Sequence, residues 1–345
     1  MGRKMRVTRK DVANRAGVST ATVSYVLNKS KKISDETTSK VMQAIAELDY
    51  RPDMIARSMS VEQTMQVGIV LEDITNPFSG GLIRGFEKAA NEKNYFVSVC
   101  TSFDKLDDYF DNFIARRIDG IFVAALPYKF NVNKLYDLVD RDIKVVVSGN
   151  AIADYKKVSS LENDYIDAME QVMEYLYALG HRNIAYISGL GKNMTYDLRC
   201  IGYRQMITKL GLTCGNELLI DGKSPYFTGV EEGYSGAKRL IETGKKFTAV
   251  ICTNDIMAFG AMKAIRDHGL RIPEDVSVVG FDGIKLGEYY ECPLTSMALE
   301  QEECGRKAFD LLYNNMTQGT VGYYKNMLHL VERESTGKCR ETEKI

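Results

Sequence analysis

Eight short, predominantly apolar runs beyond residue 65 constrain this chain more than any other feature. They cover residues 67–71, 96–100, 118–124 and 143–148, then 184–188, 218–220, 249–253 and 276–281. None alternates apolar with polar positions, as a half-solvated strand would, so each reads as a strand covered on both faces. Amphipathic stretches of helical length lie between them, at 80–93, 166–179, 198–210 and 256–268. Strands separated by helices call for parallel sheets with crossover connections. Two sets of four strands predict an α/β body of two doubly wound parallel-sheet lobes rather than one closed barrel.

The first 60 residues contain no such run. They carry 12 Lys+Arg against 6 Asp+Glu, in a chain whose totals are 45 and 46. A net charge near zero therefore hides a head at +6 and a remainder at −7. A basic head on an acidic body is expected when only one end meets a polyanion. Within residues 7–28, VTRKDVANRAGVSTATVSYVLN, the apolar positions Val12, Ala13, Ala16, Val18, Val23, Val26 and Leu27 can close one small core. Thr8 is placed to cap a first helix, Gly17 to make the turn, and Ser19 to cap a second helix. Ser34 opens a third helix that braces the pair. Two short helices joined at a glycine inside a basic segment predict a helix-turn-helix head. The alternative is a three-helix bundle that binds nothing.

Other classes fare poorly. No run nears the roughly 18 apolar residues of a membrane span, and the basic N-terminus lacks the apolar core of a signal peptide, so a cytoplasmic protein is expected. Seven scattered cysteines form no CxxC, which disfavours a zinc site or redox pair. Gly189 and Gly191 begin a GxGxxG fingerprint that Met194 breaks, and no Walker loop, GxSxG or HExxH occurs. His181 sits between a helix and a strand, where a structural contact is expected. No enzyme, cofactor or metal is expected.

The segments VTRKDVANRAGVSTATVSYVLN and ISDETTSKVMQAIAELDYRPDMIARSM resemble the head of the LacI/GalR family of bacterial transcription regulators. The resemblance continues through VGIVLEDITNPFSGGLIRGFEKA, LGHRNIAYISG, TAVICTNDIMAFGAMKAIRDHGLRIPEDVSVVGFD, LTSM and LVERESTG, in family order. It implies a helix-turn-helix head over 1–50, a hinge helix and linker over 51–64, and a periplasmic-binding-protein-like body over 65–345. In that body the N-lobe is expected at about 65–163 plus 293–320, and the C-lobe at about 164–292 plus 321–336.

The resemblance also implies site residues. Thr20, Ala21 and Tyr25 would face base edges of double-stranded operator DNA, and Tyr25 stands where many members carry Arg or His. Tyr cannot grip guanine bidentately as Arg does, so the base preferred there differs. Ser19, Thr22, Ser24, Asn28, Thr8, Ser34 and Thr37 suit phosphate contacts. In the hinge, Arg57 would follow the minor groove with Met59 as the apolar wedge, and the small Ala56 fits such a DNA-binding hinge better than the alternative of a plain interdomain linker. Phe78, Asp164, Arg199, Asn254 and Asp282 would line an interlobe effector cleft, with Phe227 as a further candidate and Thr228 its alternative. That set suits a sugar or sugar derivative, because carboxylates and amides engage vicinal hydroxyls while an aromatic ring covers an apolar sugar face. Each also has a plainer reading: Asn254 as a helix cap, Asp282 as a turn carboxylate, Arg199 as a surface ion pair, Phe78 as core. Ala298, Leu299 and Glu300 replace the family's usual Arg-Gln-Pro, which puts the sugar contact from that Gln position in doubt. The polar C-terminus, without heptads, implies a homodimer rather than a tetramer. Most members repress, so repression is the expected output. A periplasmic-type sugar-binding protein would share the body but lack the basic head, and a sugar-processing enzyme would need a catalytic constellation.

Overall fold

The computed structural model describes residues 7–28, 31–51, 63–126, 130–148, 153–190, 197–212, 216–222 and 228–340. The chain divides into two compact units, 1–64 and 65–345. Most of the hinge, with Ala56, Arg57 and Met59, lies outside the described residues, as does Phe227.

In the first unit, α1 (Arg9–Ala16), α2 (Thr20–Asn28) and α3 (Asp35–Glu47) surround a core of Val12, Ala13, Val23, Val41 and Ala44. Thr8 and Asp11 form a reciprocal capping box: Thr8 N donates to Asp11 Oδ2 over 2.8 Å, and Thr8 Oγ1 accepts from Asp11 N. Gly17 ends α1 with φ +67°, a left-handed turn that glycine adopts without strain. Ser19 Oγ accepts from Thr22 N over 3.1 Å and Ser34 Oγ from Thr37 N over 3.3 Å, starting α2 and α3. Arg15 Nε donates to Glu47 Oε2 over 2.7 Å and ties α1 to α3.

The second unit holds two six-stranded sheets. The first has the order β11-β5-β4-β3-β1-β2 and is parallel throughout. Its strands are β1 (Gln66–Val70), β2 (Phe96–Cys100), β3 (Gly120–Val123), β4 (Lys144–Ser148), β5 (Ser159–Asn163) and β11 (Tyr323–Asn326). One face is covered by α4 (Pro77–Glu92) and α11 (Gln301–Gln318), the other by α5 (Leu106–Arg116) and α6 (Asn133–Asp140). Phe86, on α4, lies 5.5 Å from Phe309 on α11 and 5.8 Å from Phe122 on β3, ring centroid to centroid. Each such buried ring contributes about 1.5–3 kcal/mol by leaving water.

The second sheet has the order β12-β10-β9-β8-β6-β7, with β12 alone antiparallel. It comprises β6 (Ile184–Ile187), β7 (Leu219–Ile220), β8 (Ala249–Cys252), β9 (Ser277–Asp282), β10 (Thr295–Ala298) and β12 (His329–Val331). It lies between α7 (Tyr165–Ala178) with α8 (Leu198–Lys209) and α9 (Val230–Glu242) with α10 (Asp255–Asp267). His181 is buried, its ring nitrogens 2.9 Å from Thr248 Oγ1 and 3.0 Å from Gly337 O, which is the structural contact expected of it.

One sequence expectation needs correction. Residues 293–320 do not all join the first lobe, nor 321–336 the second. Thr295–Ala298 pairs with β9 in the second sheet, and only the helix from Gln301 returns to the first. Tyr323–Asn326 then pairs with β5 in the first sheet before His329–Val331 closes the second. The chain thus crosses three times, after Asn163, after Ala298 and after Asn326. The LTSM run enters β10, which is a strand of the second lobe because it pairs with β9 on one side and β12 on the other.

Candidate functional site

Parallel strands end on one side of each sheet, where helix N-termini converge, and that side carries most of the expected cleft residues. Asp164 caps α7: its Oδ1 accepts from Asp167 N over 3.3 Å, and its other oxygen pairs with Lys325 of β11. Asn254 caps α10 through Oδ1, which accepts from Met257 N over 2.8 Å, while Nδ2 donates to Thr228 O over 3.1 Å. The capping role is therefore real, and the side chain is almost fully buried. Phe78 opens α4, capped by Asn76, and packs against both the core that runs through the first lobe and the separate core of the second. It sits at the lobe junction, packed against both cores.

Arg199 is not the surface ion pair that was its plain alternative. It lies in the first turn of α8, only 16% of its side chain exposed, 3.5 Å from the buried carboxylate of Asp197. Its guanidinium stacks 4.0 Å above the Tyr165 ring and 5.8 Å from the Phe281 ring, and those two rings meet edge to face. Burial alone would lower its pKa; the polar oxygens of Tyr165, Asp197, Tyr186 and Asp282 outweigh burial and keep it charged. Asp197 caps α8 by accepting from Arg199 N over 3.0 Å, and it also accepts from Tyr186 Oη over 2.6 Å and Ser188 Oγ over 3.3 Å. This acidic anchor was missed in the sequence, although Asp197 stands two residues before the arginine.

Asp282 ends β9 with φ +117°, a backbone conformation that a non-glycine residue adopts only when held. The holding groups are identifiable. Asp255, fully buried, accepts from Ile284 N over 2.8 Å and from Ser296 Oγ over 2.5 Å, and Ser296 Oγ accepts from Gly283 N over 3.1 Å. The Asp282 carbonyl accepts from Gln301 Nε2 over 2.7 Å and from Leu299 N over 3.3 Å. Desolvation pushes both Asp255 and Asp282 above the ordinary carboxylate range, and their mutual repulsion adds to the rise of Asp282 while Arg199 opposes it. Asp255 was missed because its neighbour in TND drew the functional reading. Ala298 and Leu299 are buried and apolar, so neither offers a polar side chain there.

Arg199 thus stacks on the Tyr165–Phe281 ring pair, Asp164 caps the helix that Tyr165 begins, and Asp282 follows Phe281 within electrostatic reach of both Arg199 and Asp255. In the head, Thr20 and Ala21 are exposed on α2 and Tyr25 is half-buried, with Lys31 Nζ 4.6 Å above its ring. Ser19 and Ser34 spend their hydroxyls on caps, while Thr22 and Thr37 point theirs at those serines, so all four crowd the starts of α2 and α3. Helix N-termini of that kind attract phosphate through their free amides. Thr8 is committed to its capping box, Ser24 lies on α2, and Asn28 closes that helix. Among the described residues no group of three His, Cys, Asp or Glu could hold a metal, and no helix is long and apolar enough to cross a membrane.

Two family models match the chain. One, described as bacterial regulatory proteins of the lacI family, covers residues 8–53; the other, described as a periplasmic binding protein-like domain, covers 173–336. The HTH-type transcriptional repressor PurR of Vibrio atlanticus (strain LGP32) is 34% identical over 312 residues, 88% of this chain and 90% of that protein. PurR of Histophilus somni (strain 129Pt) is 32% identical over 317 residues, 90% and 92% of the two chains. Among solved structures, the lac repressor dimer bound to operator and the anti-inducer ONPF has a TM-score of 0.82 at 25% identity, covering 96% of this chain and 99% of that one. The regulator CelR in complex with cellobiose has a TM-score of 0.71 at 28% identity, covering 96% and 100%.

Proposed function

The chain belongs to the LacI family of bacterial regulatory proteins, and from that premise we propose that its interlobe cleft binds a sugar-like effector that sets the operator affinity of a homodimer. At the coarser level it is a DNA-binding transcriptional repressor with an effector-binding body, not an enzyme. The observation that carries the finer reading is the buried Arg199 guanidinium stacked on the Tyr165–Phe281 ring pair, at the end of the strand that carries Asp282. A guanidinium offers several fixed donors, and a carboxyl group offers two oxygens that accept from hydroxyls. Hydroxyls on adjacent carbons match that alternation, and an aromatic wall matches the C–H face of a pyranose or furanose. The ligand named with CelR is cellobiose, which is consistent with this chemistry.

The head supplies the other half. Thr20, Ala21 and Tyr25 read bases in the major groove, while Thr8, Ser19, Thr22, Ser24, Asn28, Ser34 and Thr37 hold phosphates. Ala56, Arg57 and Met59 engage the minor groove, and Phe227 adds to the cleft. A second copy covers the free edge of β2, where Phe96 is 68% and Val99 42% exposed. A protein whose partner is chromosomal DNA works in the bacterial cytoplasm.

Thermal-shift titration of the full chain with sugars, sugar phosphates and nucleobases tests this reading. A ligand present at about 100 times its Kd adds roughly 2.7 kcal/mol to the state it binds, a readily measured rise. A sugar is expected to raise the midpoint, and Arg199→Ala is expected to remove the rise. A response confined to nucleobases would overturn the sugar assignment, and a sugar response unchanged in Arg199→Ala would overturn the cleft assignment.

A further inference from the structure

We propose that Gln301 is a positioning residue which reaches from the first lobe to hold the backbone carbonyl of Asp282 in the second, and so fastens the lobes at the effector site. This rests on the reading of Asp282 as an effector contact. Asp282 needs holding, because φ +117° is strained for any residue with a side chain. The two amides that follow it are secured from within its own lobe, by Asp255 and Ser296. Its carbonyl is secured differently. Gln301 stands at the first position of α11, the helix that packs on α4 in the first lobe, and its Nε2 donates to Asp282 O over 2.7 Å. The backbone bond from Leu299 N to the same oxygen is longer, at 3.3 Å.

The first lobe is shaped to admit this side chain. Gly81 lies one turn beyond Phe78 on α4, and a Cβ added there would fall 2.6 Å from Gln301 Cβ. Only the missing side chain at 81 lets the glutamine lie against α4 and reach Asp282. Across the contact, Gly283 has φ +66°, and a Cβ there would fall 2.5 Å from Ala298 Cβ, so the second lobe is trimmed at the same point. Phe78, Gly81, Gln301 and Asp282 therefore form one connected line from the wall of the cleft in one lobe to its carboxylate in the other. An effector that engages Asp282 pulls on the first lobe through this line, giving cleft occupancy a direct purchase on lobe orientation.

Hydrogen-exchange mass spectrometry on the ligand-free full chain tests the contact. Gln301→Leu removes the donor at similar size, and Gly81→Ala displaces the glutamine without touching it, while alanine favours the helix. Both variants are expected to speed exchange at the amides of 283, 284 and 299 by about tenfold, the effect of losing a hydrogen bond worth about 1.4 kcal/mol, with α7 and α9 unchanged. Unchanged exchange at those amides, or an equal rise throughout the body, would overturn the proposal. In parallel, wild type, Gln301→Leu and Asp282→Asn are titrated with D-ribose and with cellobiose by thermal shift. Gln301→Leu is expected to weaken any sugar response about tenfold. Asp282→Asn keeps the backbone carbonyl, so it is expected to abolish the response while leaving exchange at wild-type rates. A full sugar response in Asp282→Asn would overturn the effector reading of that carboxylate, while the exchange data alone judge the Gln301 contact.

Discussion

A side chain that caps a helix and is also proposed to meet the effector has two duties that substitutions can separate. Asn254 caps α10 and also belongs to the expected effector set. Asn254→Ala is expected to cost about 0.5–2 kcal/mol through the lost cap, read as a lower chemical-denaturation midpoint. Asn254→Ser keeps a capping oxygen and is expected to retain most of that stability while losing the amide donor, so its sugar affinity falls further than its stability. The buried acids give a second test. Asp255 and Asp282 hold their protons more tightly in the folded chain than in the unfolded one, chiefly through desolvation. A carboxyl of that kind adds stability that is full below its unfolded pKa, about 3.9, and is lost as pH climbs through the raised folded value. Thermal midpoints are expected to fall between about pH 5 and pH 8, and to fall less in Asp255→Asn, which keeps an acceptor for Ile284 N. A midpoint that rises over that range in the wild type, or a slope unaltered by the substitution, would contradict the buried-acid account. The family resemblance singled out Arg199, Asp282 and Asn254, whereas Asp197, Asp255 and Gln301 emerged only with contacts in view. Their roles are second-hand, acting through Arg199 or Asp282, and no spacing in the sequence distinguishes an acid that anchors from an acid on a surface.

At the level of elements, burial decided what could be read. Strands covered on both faces, such as β1, β3 and β4, stand out as apolar runs and lie within a residue or two of expectation. β5, with the sequence SSLEN, was unreadable because two buried serines replace aliphatic side chains. β11 and β12 were missed because an edge strand with one neighbour needs little apolar cover; Tyr323, Tyr324 and Lys325 are all exposed. Missing those two strands misplaced the lobe boundaries after residue 320, and reading Thr295–Ala298 with the first lobe misplaced the one before. The close crossing of α4 and α11 depends on a pair of glycines. A Cβ at Gly85 would lie 1.8 Å from Glu302 O, and one at Gly305 would lie 2.1 Å from Leu82 O. Alanine at either position would normally help a helix by up to about 1 kcal/mol, but here two backbones must separate to admit it. Gly305→Ala is therefore expected to destabilise the body by roughly 1–3 kcal/mol, the usual cost of overpacking, in denaturant titration. A neutral or stabilising effect would show that the helices do not touch so closely.

For the molecule as a whole, the charge split between head and body assigns DNA to one end and leaves the body free to sense. Dimerisation links the two jobs, because paired half-sites need paired heads. Phe96→Asp on the free edge of β2 is expected to yield monomers in analytical ultracentrifugation and to weaken operator binding at least tenfold; dimers of undiminished stability would move the interface elsewhere. Coupling between ligand and DNA sites in switching proteins usually amounts to about 1–3 kcal/mol, or 5–150-fold in affinity. That magnitude sets the decisive measurement: operator affinity of the full chain by fluorescence anisotropy, using a duplex selected from a random library, with and without the sugar that raises its thermal midpoint. The account predicts that the sugar shifts the wild-type Kd for DNA at least fivefold, and that Arg199→Ala binds the duplex as tightly as wild type yet shows no shift. A sugar that binds and stabilises the protein while leaving DNA affinity untouched, or an undiminished shift in Arg199→Ala, would contradict it.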